Sequence, residues 1–323
     1  MSMLFSRITV KGLTFRNRVV MPPMVTGKAD AQGCVTEALI EHYQARAAAG
    51  TGTIIVEATA VDAGGQVWRG GLGAFSDDHL PGLTRLASAI KAEGAVAAIQ
   101  LVHGGPQSSV EVAGQRVGPS AVAPPDGGRV PRALTGEEIT AIEEQFARAA
   151  RRAAEAGFEV AELHGAHNFL LDSFLSSRFN VRRDEYGGRV ENRMRMLVET
   201  CRRTRQLLPA GALLCARVSM FNKPPESFTA DDFRTLARAL AEAGLDLLHL
   251  STDGAFKPCF GTSKPLGRWA KESVELPVIV AGGLGDPKEA ERAIATGLAD
   301  FAAVGSALME DAEWTRHARE ALG

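Results

Sequence analysis

The chain has 323 residues, of which 45% are hydrophobic, so it can bury a large core as one domain or as two smaller ones. Its formal net charge is −2 with both signs mixed along the chain, which argues against nucleic acid or an anionic membrane surface as its main partner. The four cysteines show no CxxC spacing, so no disulfide framework, structural zinc or iron–sulfur cluster is predicted. No signal-peptide core opens the chain and no apolar run reaches the ~18 residues of a membrane span, so we expect a cytoplasmic location.

The first fifteen or so residues alternate between apolar and polar around Lys11 and Gly12, which predicts a short β-hairpin. Eight apolar segments follow and are predicted to be buried strands, at 18–24, 53–61, 95–102, 160–163, 213–219, 246–251, 277–280 and 300–304. They alternate with segments predicted to be helices, at 37–49, 78–94, 135–156, 191–208, 229–243, 264–274, 287–296 and 311–321. Two of the helices begin with capping-box spacing, at Thr135 and at Thr229.

Apolar strands separated by amphipathic helices predict a parallel sheet that is covered by helices on its outside. Eight strand–helix repeats in about 300 residues favour a single (β/α)8 TIM barrel, which we expect to span residues 1–323 as one domain. The alternative is a doubly wound open sheet, but no GxGxxG motif follows the first strand to support it. The Pro- and Gly-rich segment 104–134, after the third strand, is predicted to be a long loop over the top face.

His164 and His167 follow the fourth predicted strand, where parallel α/β folds place their chemistry. The pair has the spacing of metal ligands, but no nearby Cys, Glu or His offers an evident third ligand, and the HExxH motif is absent. The histidines could instead be structural, or they could be two hydrogen-bond donors directed at a substrate oxygen. The spacing alone leaves these three interpretations open.

Small residues end the seventh and eighth predicted strands, each just before a helix: Gly282 with Gly283, and Gly305 with Ser306. Exposed backbone N–H groups at such positions form a phosphate site in many barrels. Glycines there can also serve only to make tight turns. Because both strands carry them, we favour phosphate binding.

Gln100 and Arg217 each end a buried strand and should point into the mouth of the barrel, where an unpaired amide or charge is costly. Arg217 could form a structural ion pair with Glu57 or Glu162. A ligand with a flat polar edge and developing negative charge would serve both Gln100 and Arg217 better. A flavin ring has such an edge, and a phosphate at its other end makes FMN the natural candidate.

The chain resembles the old yellow enzyme family of FMN-dependent ene-reductases over nearly its entire length. The matching motifs, in chain order, are NRVVMPPM (17–24), IIVEATAV (54–61), IQLVHGG (99–105), HGAH (164–167), FLSSRFNVRRDEYGG (174–188), ENR (191–193), RVS (217–219), AGG (281–283) and VGSAL (304–308). The HxxH pair joined to DEYGG and ENR in this order is the specific part of the resemblance. A GG pair alone would carry little weight.

The resemblance implies contacts to a tightly bound FMN for residues at several strand ends, namely Pro22, Pro23, Met24, Val25, Ala58, Gln100, Arg217, Gly282, Gly283, Gly305 and Ser306. It implies that NADH or NADPH reduces the flavin first, in the same pocket. His164 and His167 would then hold the carbonyl or nitro oxygen of a conjugated alkene, and hydride from flavin N5 would reach its β carbon.

Three positions depart from the family pattern. Phe169 stands where a tyrosine usually supplies a proton, so in this chain the residue could line the substrate pocket but could not act as an acid. Val25 stands where many relatives carry a polar side chain near the flavin's N5 edge, so the flavin potential could be set differently. Ser306 replaces an arginine of the relatives, which predicts looser FMN binding.

The sequence therefore predicts an FMN-dependent, NAD(P)H-dependent oxidoreductase that acts on a small electrophilic substrate, an activated alkene. One alternative is an FMN-dependent isomerase or dehydrogenase, in which Phe169 is suited to a reaction that needs no proton at that place. Another is a barrel that binds phosphorylated ligands without redox chemistry. A homo-oligomer is left open.

Overall fold

The computed structural model describes residues 2–123, 128–219 and 228–323. Within these ranges the chain forms twelve β-strands, which are Ile8–Val10 (β1), Leu13–Phe15 (β2), Val19–Met21 (β3), Thr53–Ala60 (β4), Val96–Val102 (β5), Val117–Gly118 (β6), Arg132–Ala133 (β7), Val160–Gly165 (β8), Leu213–Val218 (β9), Leu247–Ser251 (β10), Val278–Ala281 (β11) and Phe301–Ala303 (β12). Eight of them close a barrel in the order β3, β4, β5, β8, β9, β10, β11, β12, and every neighbouring pair is parallel. The predicted (β/α)8 barrel is confirmed.

The same ranges form twelve α-helices, which are Glu37–Ala48 (α1), Leu80–Ala92 (α2), Val110–Ala113 (α3), Gly136–Glu155 (α4), Leu170–Leu175 (α5), Val190–Arg193 (α6), Arg195–Leu207 (α7), Ala230–Glu242 (α8), Leu266–Ser273 (α9), Pro287–Ala295 (α10), Ser306–Glu310 (α11) and Trp314–Leu322 (α12). Both predicted capping boxes are present, because Thr135 and Thr229 accept bonds from the backbone N–H groups of Glu138 and Asp232. No helix in the described ranges is long and apolar enough to cross a membrane.

The predicted N-terminal hairpin is confirmed, and it seals one end of the barrel. β1 pairs antiparallel with β2, with Ile8 opposite Phe15. Val10 and Phe15 belong to the apolar cluster that fills the barrel interior, and the Phe15 ring packs edge-on against Phe301 with the ring centroids 4.9 Å apart. Because the amino ends of the strands are closed by apolar packing, a polar ligand has access only from the carboxyl ends.

Alternation along the strands decides which side chains face that open end. In β9, Leu213 and Cys215 belong to the interior cluster, so Arg217, two residues further on, also faces inward. The same two-residue period in β5, β8 and β10 turns polar side chains inward near the strand ends. With Arg217, these inward residues are Gln100, Glu162, His164, His249 and Ser251.

Local details differ from the sequence predictions. The predicted long insertion 104–134 also contains α3 and the short parallel pair β6–β7, while residues 124–127 lie outside the described ranges. Helix α5 was not predicted, since a buried run of only six residues shows no helical period. Strand β8 continues to Gly165, so His164 lies within the strand rather than after it, opposite Arg217 of β9.

Candidate active site

A cavity of about 240 Å³ opens at the carboxyl ends of β3, β9, β10, β11 and β12. Several of the residues predicted to bind FMN line it together: Pro22, Met24, Arg217, Gly282, Gly283, Gly305 and Ser306. Pro23, Val25, Ala58 and Gln100 lie outside its lining. The cavity therefore brings the glycines of the first predicted subsite together with Arg217 of the second, whereas Gln100 of the second subsite is not part of its lining.

Backbone geometry at the glycine end leaves room for a ligand. Gly282 has φ 134°, and a Cβ there would lie 2.5 Å from the Thr252 carbonyl oxygen, so no other residue fits without a shift. Gly283 has φ 67° and nothing within 4 Å of the position of a Cβ. Gly305 precedes α11 as its N-cap residue, without a side-chain cap hydrogen bond. Free backbone N–H groups in such a cradle suit an anion such as phosphate.

Arg217 also lines the cavity and is only 7% exposed. Its Nη2 donates to Ser251 Oγ at 3.0 Å, whereas its Nε is buried with no hydrogen-bond partner in the described part of the chain. A buried N–H without an acceptor is costly, so Arg217 suits a ligand that supplies a hydrogen-bond acceptor. Together with the glycine cradle, this donor fits a phosphorylated ligand with an acceptor-rich ring, as FMN is.

The ion pair considered as the structural alternative for Arg217 is absent from the described residues. Glu57 instead accepts hydrogen bonds from the backbone N–H and the hydroxyl of Thr26. Glu162 pairs with His249, whose Nδ1 lies 2.7 Å from the carboxylate. Arg217 therefore carries its charge at the cavity without a salt bridge to either acid.

Glu162 lies on the inner side of the barrel near Arg217 and is fully buried. Gln100 Nε2 donates to it at 2.8 Å, so one N–H of this amide already has a partner within the protein. Burial alone would raise the pKa of Glu162, but the charge and hydrogen bond of His249 and the charge of Arg217 outweigh it and lower that pKa. The carboxylate thus stays ionised and supplies a buried negative charge close to the guanidinium.

His164 and His167 come together at this end of the barrel, with ring centroids 5.1 Å apart and planes at 88°. His164 is 3% exposed whereas His167 is exposed. Burial, together with the charges of His167 and Arg217, lowers the pKa of His164 well below its usual value, so this ring is neutral at pH 7. Neutral imidazoles can donate an N–H to a ligand oxygen without adding a charge.

The turn after His164 has an unusual backbone, which brings the second ring back toward the first. His167 and Asn168 have φ 62° and φ 60°, in the left-handed region that residues with a Cβ rarely adopt. The N–H of Asn168 donates to Asp172 Oδ2 at 2.7 Å and holds the turn against the start of α5. Such strain is commonly found where a site requires a particular side-chain position.

Ser251, which contacts both His167 and Arg217, was not predicted as a site residue. Ser251 Oγ lies 2.9 Å from His167 Nε2 and also accepts the bond from Arg217. The signal for it was present in the sequence, since Ser251 ends β10 two residues after His249 and so shares its inward face. Thr252, which lines the same cavity, was missed in the same way.

The loop after β3 lies at the same end, and Val25 in it is 53% exposed. The loop is fixed by Glu57, which is buried on β4 and accepts a bond of 2.8 Å from the N–H of Thr26. Val25 lies beside this buried carboxylate and is an exposed apolar side chain at the mouth of the barrel.

Metal binding by the histidines gains no support, since no group of three or more His, Cys, Asp or Glu side chains in the described ranges could hold a metal ion.

Residues 3–323 match the sequence profile of the NADH:flavin oxidoreductase / NADH oxidase family. The NADPH dehydrogenase of Geobacillus sp. strain WCH70 is 37% identical, over 100% of this chain and 95% of its own length. The solved old yellow enzyme homologue from Zymomonas mobilis superposes with a TM-score of 0.88 at 28% identity, over 99% of this chain and 93% of that one. A 2-naphthoyl-CoA reductase complex gives a TM-score of 0.91 at 25% identity, where the chain covers 52% of that protein. The chain belongs to the NADH:flavin oxidoreductase / NADH oxidase family, the old yellow enzyme family, and is an FMN-dependent NAD(P)H oxidoreductase.

Proposed function

We propose that this enzyme reduces the double bond of an alkene conjugated to a carbonyl or nitro group, with NADH or NADPH as the reductant. The observation that carries the proposal is the pairing of His164 with His167 at the mouth of the barrel, with ring centroids 5.1 Å apart and His167 linked through Ser251 to Arg217. A pair of hydrogen-bond donors next to the cofactor cavity suits a substrate whose oxygen gains negative charge during the reaction.

The proposed FMN contacts follow the chemistry of the cavity. The backbone N–H groups around Gly282, Gly283, Gly305 and Ser306 would hold the phosphate. Arg217, with Gln100 near it in the barrel, would bind the polar edge of the ring, while Pro22, Pro23, Met24, Val25 and Ala58 would lie along it. Bound FMN supplies the hydride transfer between the nicotinamide and the second substrate.

The protein's own contribution is orientation and electrostatics. Arg217 keeps a buried positive charge at the ring end of the cavity, where it offsets negative charge on the cofactor. His164, which is neutral and buried, offers an N–H that needs no desolvation during the reaction. Phe169 has no proton to give, so the proton for the α carbon comes from solvent or from another group.

An FMN-dependent isomerase or dehydrogenase is the second candidate. The observation that favours it is the Phe169 ring, which lies against His164 at the position where the resemblance places a proton donor. A reaction that returns the hydride to the same substrate, or removes it, does not need that donor. The non-redox phosphate-binding barrel is set aside, because the chain is a member of a flavin oxidoreductase family.

Anaerobic stopped-flow measurement of the two half-reactions separates these candidates. NADH or NADPH is mixed first with the oxidised enzyme, and the enzyme so reduced is mixed with an enone, a nitroalkene and a saturated ketone. Rapid bleaching of the flavin absorbance, followed by reoxidation with the enone or nitroalkene but not the ketone, is the expected result. Bleaching without reoxidation by any alkene would overturn the proposal and favour the isomerase or dehydrogenase.

The single-domain organisation of residues 1–323, the cytoplasmic location and the lack of a nucleic-acid partner stay predictions.

A further inference from the structure

A buried carboxylate lies below Arg217 in the barrel. Glu162 of β8 is paired with Cys215 of β9, and Arg217 stands two residues further toward the carboxyl end of β9. Two residues of a strand span roughly 7 Å, so Glu162 belongs to the layer of inward side chains beneath Arg217. Glu162 is fully buried and forms no direct ion pair with Arg217 in the described chain, yet the two opposite charges act on each other.

Three donors fix the position of this carboxylate. Gln100 Nε2 donates to Oε1 of Glu162 at 2.8 Å, and His249 Nδ1 lies 2.7 Å from Oε2. Cys215 Sγ donates to the same Oε2 at 3.4 Å. Both oxygens therefore have partners within the barrel, and the side chain cannot turn without breaking these bonds. Donors of this kind favour the ionised form of a carboxyl group.

The net charge of Glu162 and His249 together decides what Arg217 experiences. If the imidazole were protonated, the two residues would form a neutral pair and leave the guanidinium unopposed. Burial lowers the pKa of His249, and the charge of Arg217 lowers it further, although Glu162 acts in the opposite direction. His249 is therefore neutral at pH 7, and the pair carries one buried negative charge.

The negative charge stands behind the cation and not in the cavity itself. Arg217 lines the cavity, whereas Glu162 does not, and no acidic side chain belongs to the described lining. A cation beside a flavin ring stabilises the negative charge that reduction adds, and this raises the reduction potential. A fixed negative charge close to that cation opposes the effect, because charges in a buried site are poorly screened.

We propose that Glu162 is a positioning residue that acts through Arg217: its fixed carboxylate offsets part of the guanidinium charge at the cavity and so lowers the reduction potential of bound FMN. The proposal deepens the proposed function, because it rests on the placement there of the flavin ring beside Arg217. Glu162→Gln is the direct change, since the amide occupies nearly the same space and can still bond to Gln100 and His249.

The test is the reduction potential of the holoenzyme, measured by equilibration with reference dyes. In Glu162→Gln the two-electron equilibrium should move about tenfold toward the reduced flavin, which corresponds to about 30 mV. Sulfite, which adds to oxidised flavin as an anion, is the second readout and should bind about tenfold more tightly. An unchanged or lower potential in Glu162→Gln would overturn the proposal. Glu162→Met removes the same charge and takes the same expected shift, so it replaces the glutamine variant if that one fails to fold or to retain FMN.

Glu162→Asp separates the charge from the hydrogen bonds. The shorter side chain keeps the carboxylate but reaches less far toward Gln100, so we expect a potential close to that of the wild type. A shift as large as that of Glu162→Gln would mean that the orientation of Gln100 matters and not the charge, and would reject the proposal. The matched control is Asp246→Asn, which neutralises a buried carboxylate at the amino end of β10, away from the cavity, and should leave the potential unchanged.

Arg217→Gln distinguishes this proposal from the proposed function. Removal of the cation should lower the potential if the flavin ring lies beside Arg217. A shift in Arg217→Gln without one in Glu162→Gln would reject the role of Glu162 and leave the placement of the flavin standing. No shift in either variant would reject both. These measurements use no alkene, so an enzyme that fails to reduce enones would sink the substrate assignment and leave the role of Glu162 intact.

Discussion

The Phe169 ring lies edge-on to the His164 imidazole, with the ring centroids 4.9 Å apart and the planes at 67°. Phe169 is the N-cap residue of α5, so its backbone position is set by the same turn that returns His167 to the site. The contact gives His164 an apolar neighbour that restricts its rotation. It also places the phenyl ring of Phe169, which carries no hydroxyl, beside the histidine pair.

Phe169→Tyr adds a hydroxyl to that ring and tests whether proton delivery limits alkene reduction. General acids contribute about 10²–10⁴ in rate, so we expect reoxidation of the enzyme by an enone to become at least about tenfold faster. The rate is measured by stopped flow, and the reduction by NADPH should not change, because it needs no acid at this place. An unchanged enone rate would point to solvent or to another group as the proton source.

The double substitution His164→Ala with His167→Ala should weaken the binding of a phenolate ligand and leave FMN bound. A hydrogen bond to a charged group contributes about 1.5–3 kcal/mol, so loss of the pair should raise the ligand Kd at least about tenfold. Spectral titration measures the Kd, and the flavin-to-protein absorbance ratio measures cofactor content. Release of FMN by the variant would mean that the histidines belong to the cofactor site instead.

Ser306→Arg should tighten FMN binding. Arg217 is the only cationic side chain in the described lining of the cavity. Ser306 is exposed at the first position of α11, where a longer side chain has room. A charge-assisted bond to phosphate should lower the FMN Kd about tenfold, measured by quenching of flavin fluorescence. Riboflavin is the control ligand, because it lacks the phosphate, and equal tightening of both would contradict the phosphate assignment.

Gly282→Ala should lower FMN affinity by more than a general loss of folding stability would explain. The added Cβ would meet the Thr252 carbonyl oxygen at 2.5 Å, so the backbone at the cavity must move. The matched control is Gly297→Ala, where φ is 67° and nothing lies within 4 Å of the new Cβ, so only the left-handed strain of about 1–2 kcal/mol remains. Equal FMN affinity in the two variants, measured by fluorescence titration, would remove Gly282 from the cofactor site.

The fold could be predicted from the sequence because its determinants are local and repeated. Buried apolar strands alternate with helices, and the capping boxes at Thr135 and Thr229 mark helix starts within a few residues. The errors fall where those determinants are weak. Helix α5 has six residues, too few for a period, and strands β6 and β7 have two residues each in a Pro- and Gly-rich segment.

The site could be predicted only as far as strand ends and family motifs indicate it. The inward direction of Arg217 follows from the two-residue period of β9. The partners of these residues could not be predicted, because they are distant along the chain: His167 and Ser251 are 84 residues apart, and Glu162 and His249 are 87 apart. Barrel closure brings such pairs together, and neither residue of a pair carries a local signal for the other.

Glu143 offers a prediction about stability that is independent of the flavin. It lies on α4 with its side chain 1% exposed, and Arg203 of α7 donates from Nε to its Oε2 at 3.0 Å. Its Oε1 is buried without a hydrogen-bond partner in the described chain. Burial raises the pKa of Glu143 to about 7, although the charge and hydrogen bond of Arg203 oppose the rise.

The raised pKa sets the sign of a pH effect. Between roughly pH 4.5 and pH 7 the folded state keeps a proton that the unfolded state releases, so this residue makes the protein less stable as pH rises through that window, and the effect levels off above it. Glu143→Gln removes the titration, so the stability of the variant relative to wild type should increase by about 2 kcal/mol between pH 5 and pH 8. Thermal unfolding at the two pH values measures it, as a Tm difference of several degrees. Glu155→Gln, at a half-exposed position on the same helix and not among the charges that act on Glu143, is the control and should show no such change. A wild type that gains stability relative to Glu143→Gln on going to pH 8 would contradict the assignment.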